Sequence, residues 1–175
     1  MQPFSGSIFS LALLIGGIGQ ASAGEVHVGG PVTKNGMEIV ANYLLGVAME
    51  PMPKGAAMGS NAVHLEVDVH AVKDEPHGFA EEAWIPYLTI TYTIDKVGSK
   101  FKKTGRLLPM TAGDGPHYAN NIEMGGPGQY HLTYRFEPPS KAGFIRHTDK
   151  ETGVPGWWEP FELDWTFSYP KKAAE

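Results

Sequence analysis

The chain contains no cysteine, which removes disulfides, thiol nucleophiles and iron–sulfur ligation from consideration. Any soft metal ligand must then be a methionine thioether. Positive charge is also scarce: 14 Lys and Arg stand against 19 Asp and Glu, a formal charge of −5, with no basic tract. Nucleic acid and anionic membrane surfaces call for the opposite balance. Beyond the N-terminal segment no apolar run reaches the roughly 20 residues that cross a bilayer. There is no sustained helical period, exact internal repeat or low-complexity tail. Stability is therefore expected from packed sheets, with oligomerisation as a second source.

The apolar stretch at residues 8–18 is short, interrupted by glycines, and followed by Ala21, Ser22 and Ala23. This is the layout of a cleavable secretory signal processed after Ala23, although no Lys or Arg precedes it; a membrane anchor is the alternative. The expected organisation is a signal peptide over 1–23 and one domain over 24–175, long enough for a sizeable core. A lipid anchor on cysteine is not expected.

What the chain does have is alternation. In VHLEVDVH at 63–70, Val63, Leu65, Val67 and Val69 face one way and His64, Glu66, Asp68 and His70 the other. WIPYLTITYTI at 84–94 repeats the pattern, with Pro86 placing the strand's start at an edge or just after it. YHLTYRF at 130–136 and FELDWTFSY at 161–169 follow, the latter placing Trp165 on a packed face. Residues 37–47 and 101–107 read as further strands. Gly, Pro, Asn and Asp punctuate these segments, notably at 51–55, 110–117 and 125–128. About seven strands in a chain of this length predict an all-β, two-sheet sandwich, with a barrel as the alternative because alternation does not fix closure.

Three segments carry candidate metal ligands. His64 and Glu66, two apart on one strand, project together as an imidazole and a carboxylate; a solvated polar face is the bland alternative. In MTAGDGPH at 110–117 the glycines and Pro116 allow Met110 and His117 to converge, with Asp114 positioning the turn. A thioether suits copper, imidazole suits several first-row metals, and carboxylate is harder; Met110 as core filler is the competing reading. His147, in GFIRHTDKETGVPGWW at 143–158, is a third candidate, with Arg146, Asp149, Lys150 and Glu151 available to support its turn. His70, His77 and His131 lie in less constrained settings, and His27 is expected near a flexible new terminus. The acidic segment at 74–82, with His77, Glu81 and Glu82, reads either as an accessory hard-metal site for iron or manganese or as a solvated loop.

Taken together, HLEVDVHA at 64–71, Gly78-Phe79 with WIPYLTI at 84–90, LLPMTAGDGPHY at 107–118 with Asn121 and Met124, and GFIRHTDKETGV at 143–154 strongly resemble the periplasmic iron-transport-associated P19 family, which includes P19-like and Tp34-like metal-binding proteins. The resemblance covers most of the chain after residue 23. It implies a periplasmic protein with an immunoglobulin-like β-sandwich, a homodimer, and a copper site near the dimer interface. It also implies a role in iron acquisition beside an inner-membrane iron permease. On this resemblance His64, Glu66, Met110, His117 and His147 form the metal site, with a ligand supplied across the dimer as one arrangement. Iron or manganese at the same or an accessory site is a further expectation. No enzymatic conversion is implied; copper sequestration or delivery and copper-dependent ferrous iron oxidation are the alternative functions.

Overall fold

The computed structural model describes residues 24–170, so the expected signal peptide at 1–23 lies outside the described residues. Eight strands follow one another: β1 (Val26–Lys34), β2 (Met37–Leu45), β3 (Ala62–Ala71), β4 (Thr89–Lys96), β5 (Lys102–Ala112), β6 (Gly115–Glu123), β7 (Gly128–Glu137) and β8 (Phe161–Tyr169). The only helical element among the described residues is a 3-10 turn at Pro139–Ala142. Every ladder is antiparallel, in the order β1-β2-β3-β6-β5-β4-β7-β8. The first and last strands approach one another. The all-β fold is thus a near-closed antiparallel barrel, the form that alternation had left open.

Strand β5 makes this possible by changing partners along its length. Residues 102–107 pair with β4, and residues 108–112 pair with β6. At the other seam, Trp165 of β8 lies across Gly29 of β1, where even a methyl group would overlap the indole. Trp165 is consequently half-buried at the seam, not enclosed in the core as its alternation predicted. Its ring meets Tyr134 edge to face at 5.8 Å. The enclosed core is made by Ile39, Leu65, Val67, Ile90, Leu107, Tyr134 and their neighbours, all with essentially no exposure.

Two strands escape the periodicity. β6 begins inside the glycine-rich segment read as a turn, which is in fact the tip of the β5–β6 hairpin. β1 carries Gly29, Gly30 and Pro31, all poor strand formers, and holds His27 in an exposed strand position, not in a loose terminus. The strand expected from Trp84 begins only at Thr89. Ahead of it, the Tyr118 hydroxyl accepts the Leu88 N–H at 3.0 Å and donates to the Ile85 carbonyl at 2.9 Å. That fixes the approach to β4.

Candidate metal centre

On β3, period-two alternation sends Leu65 and Val67 into the core and His64, Glu66 and Asp68 to the opposite face. Register extends this face over two neighbours. His64 stands opposite Asn121 and Glu66 opposite Ala119 on β6, while His117 of β6 stands opposite Met110 of β5. Directly paired residues project to the same side, so His64, Glu66, His117 and Met110 share one patch. The small Ala119 side chain lies in the row between Glu66 and Leu108.

That face is not solvated. The segment joining β2 to β3 folds over it and is tied to β6 by the Ala57 N–H donating to the Asn121 carbonyl at 2.9 Å. Beneath it is a cavity of about 650 Å³ whose lining includes Leu44, Val47, Met49, Met110 and Asp114 with the three buried polar groups. His64 is 3 % exposed, Glu66 4 % and His117 6 %. The solvated polar face that was the bland alternative is therefore not what forms: the covering segment, which strand periodicity does not reveal, buries these side chains.

The donor atoms converge. His64 Nε2 is 3.5 Å from His117 Nε2, and Glu66 Oε2 is 3.7 Å from the first and 3.8 Å from the second. The Glu66 contacts are too long for hydrogen bonds. Metal–nitrogen and metal–oxygen bonds of about 2.0–2.2 Å at near-tetrahedral angles separate donors sharing one ion by roughly 3.3–3.6 Å; the two imidazole nitrogens lie within that span and the Glu66 oxygen just beyond it. Among the described residues this is the only cluster of three such groups.

A hydrogen-bond relay orients one of the imidazoles. Asn121 donates its amide N–H to the Val47 carbonyl at 2.9 Å. Its Oδ1 is thereby left to accept from His64 Nδ1 at 2.8 Å, and the Nε2 lone pair of His64 points into the cluster, as a second-shell partner does at metal sites. Asn121 was not a sequence candidate for this role; its signal is its position four residues after His117, on the same strand face.

Charge in the cavity is unbalanced. Burial first, and then the charges of Asp68, Glu25 and Asp114, push the Glu66 carboxyl up to about 8. Burial likewise raises Asp68, with Asp114 adding to it, while His117, His70 and the bond from Asn42 Nδ2 at 3.2 Å oppose it. Glu25 is raised by burial and then by Asp68 and Asp114. Burial lowers His64, with the Asn121 bond opposing and His117 reinforcing. The His64 imidazole, held toward its neutral form, facing a carboxyl whose charge is disfavoured by burial makes a site that a cation relieves.

The other candidates fall elsewhere. His147 lies in the connection between β7 and β8, with its side chain 73 % exposed, and is not part of the cluster within the chain. Its Nδ1 donates to Thr152 Oγ1 at 2.7 Å, and that hydroxyl donates to Asp149 Oδ2 at 2.8 Å, leaving Nε2 facing outward. Asp149 Oδ1 also accepts the Glu151 and Thr152 N–H groups, at 3.0 and 2.9 Å. His77 is enclosed with Glu75, whereas Glu81 and Glu82 are exposed; the three do not form an accessory cluster among the described residues.

With this geometry in view, the chain matches the Fe2+ transport protein family over residues 22–170. It is 42 % identical to a UPF0423 protein of Brucella abortus, over 91 % of this chain and 87 % of that protein. It is 34 % identical to the 34 kDa membrane antigen of Treponema pallidum, over 81 % and 67 %. Among solved structures, the copper-reconstituted P19 protein of Campylobacter jejuni superposes with a TM-score of 0.80 at 46 % identity, covering 86 % of this chain and 99 % of that one. FetP of uropathogenic Escherichia coli gives 0.77 at 51 % identity, covering 83 % and 95 %. The buried two-histidine, one-carboxylate cluster thus sits in a chain that belongs to the Fe2+ transport protein family.

Proposed function

We propose that this protein is a periplasmic copper-binding component of an iron uptake system, in which His64, His117 and Met110 hold copper with Glu66 beside them. The observation that carries this reading is the convergence of the His64, Glu66 and His117 donor atoms at 3.5–3.8 Å in a buried cavity. Support comes from the copper-bound structures of P19 and FetP, which this chain resembles over most of its length. Met110, across the hairpin from His117, adds the thioether that favours copper over harder ions.

The intrachain site leaves room for a donor from outside, and His147 suits that part. Its Nε2 is exposed and its tautomer is fixed by Thr152. In this reading two copies pair as a homodimer and the partner subunit's His147 completes each site. The change of β5 from one sheet to the other is in keeping with an immunoglobulin-like two-layer description of the barrel. Residues 1–23 serve as the export signal, and 24–175 as the single mature domain. Glu25 and Asp114 at the cavity, with Asp68 close enough to influence Glu66, supply oxygen donors suited to harder iron or manganese, and an inner-membrane permease receives the iron.

Bound copper supplies a cation that can exist in two oxidation states; the chain's residues bind and shield it. No covalent conversion of a substrate is required. Calorimetric copper titration of His64→Ala and His117→Ala is the test, with circular dichroism to verify folding. An affinity loss of at least about 100-fold is expected, above the upper range for outer-shell partners. Unchanged affinity in both variants would place the site elsewhere. Growth of a deletion strain on limiting iron checks the uptake role, and wild-type iron uptake there would overturn it.

A further inference from the structure

Away from the cavity, the β3–β4 and β7–β8 connections meet in a compact knot. Glu75 Oε1 accepts from His77 Nδ1 at 2.6 Å, while Oε2 accepts the backbone N–H groups of His77 at 2.8 Å and Phe79 at 3.2 Å. The two side chains are 5 % and 3 % exposed. On its other side His77 Nε2 lies 3.3 Å from the Gly156 carbonyl, and the ring stacks on Trp157 with centroids 4.3 Å apart and planes 11° from parallel. Both ring nitrogens therefore face oxygen atoms of the protein, and the ring is held on both sides.

The partner of this knot is the connection that carries His147. At its beginning Phe144 packs against Tyr87 at 4.9 Å and Phe79 at 6.2 Å. At its end Gly156 and Trp157 return to His77. The platform at 75–87 thus grips both ends of one loop. Between the grips the Asp149 turn holds His147 in an exposed position. A loop without strand partners loses conformational freedom when it docks, and anchoring it beforehand reduces that cost.

We propose that His77, clamped by Glu75, is a positioning residue for His147, fixing where the β7–β8 loop presents its imidazole to the metal centre of a second copy. The inference rests on the reading of His147 as the ligand that crosses the dimer. It gives the segment at 74–82 a part in metal binding without making any residue of it a ligand.

The test is a cycle of His77→Phe, His147→Ala and the double variant, each compared with the wild type. His77→Phe keeps an aromatic ring against Trp157 and makes neither hydrogen bond. Copper affinity is read by calorimetry, copper-dependent dimerisation by sedimentation, and loop order in metal-free protein by hydrogen exchange. His77→Phe is expected to weaken copper binding by about 10-fold, the lower range for outer-shell partners. It should also impair dimerisation and speed exchange at residues 145–154. In a His147→Ala background it should cost no further affinity.

If His147→Ala weakens copper while His77→Phe binds as the wild type does, the positioning role is overturned and the ligand stands. If His147→Ala itself binds normally, the crossing ligand and this inference fail together. A further loss in the double variant would also overturn the proposal, because His77 would then act by another route. Should His77→Phe not fold, His77→Gln, with one amide donor retained, goes through the same cycle and is held to the same outcomes.

Discussion

His64 and His147 each commit Nδ1 to a fixed acceptor and keep Nε2 for another partner, one on a buried sheet face and the other in an exposed turn. For His64 the acceptor is Asn121, oriented by the Val47 carbonyl, so groups far apart in sequence must assemble before the tautomer is set. For His147 the acceptor is Thr152, oriented by Asp149, and all three lie within six residues. The same chemical end is reached once by strand register and once by a local turn. A ligand built by register is as rigid as the barrel. An imidazole presented by a turn is positioned only as well as its loop is anchored.

Asn121→Leu should separate the two regions most strongly. It removes the acceptor that sets the His64 tautomer and leaves the Val47 carbonyl unpaired, so copper affinity is expected to fall about 10- to 100-fold. Calorimetry measures the loss, and nuclear magnetic resonance of the His64 ring in metal-free protein should show the mixed tautomer.

Glu66 should make the buried region pH-sensitive. Its carboxyl titrates near 8 in the folded protein against about 4.5 ordinarily, so the native state holds this proton more tightly than the unfolded chain does. Metal-free protein should accordingly lose stability as pH rises from about 4.5 to 8 and level off above that. Urea unfolding across this range is the measurement, and Glu66→Gln should flatten the slope. The same proton must leave before the carboxylate can meet a cation, so copper affinity should rise with pH through the same window.

Thr152→Val should affect only the exposed region. Nδ1 of His147 loses its acceptor, copper-dependent dimerisation weakens by up to about 10-fold, at or below the lower range for outer-shell partners, and metal-free stability changes little because the site is solvated. Sedimentation at several copper concentrations reads the first effect and thermal unfolding the second. The smallest effect on metal should come from the seam: Gly29→Ala forces Trp165 aside and should cost about 1–3 kcal/mol of stability, with copper affinity in the folded fraction unaltered.

Much of the architecture was legible because alternation has a physical cause. Residues two apart on a strand share a face, so Leu65 and Val67 announced a core and His64 and Glu66 a second face. The convergence of Met110 with His117 was also readable, since glycines and a proline between them permit a tight reversal. β1 and β6 were not readable, because glycine, proline and buried polar residues interrupt the apolar rhythm that marks a strand. Nor was the burial of His64 and Glu66: it depends on the β2–β3 segment folding over them, which is not encoded in the period of β3. Asn121 lies 57 residues from His64, and only the β3–β6 register brings them together.

The sequence by itself determined the chemistry on offer: no thiol, a thioether, several imidazoles and carboxylates, and strands that sort them by face. Those are local properties, set by residue type and by the two-residue period of an extended backbone. Tertiary structure decided which of them meet. It enclosed His64, Glu66 and His117 under a covering segment, drew Asn121 into the relay, and left His147 outside on an anchored loop. The reason is that register and burial are long-range: they depend on which strand lies beside which and on what folds over the sheet, and neither is written in any one segment.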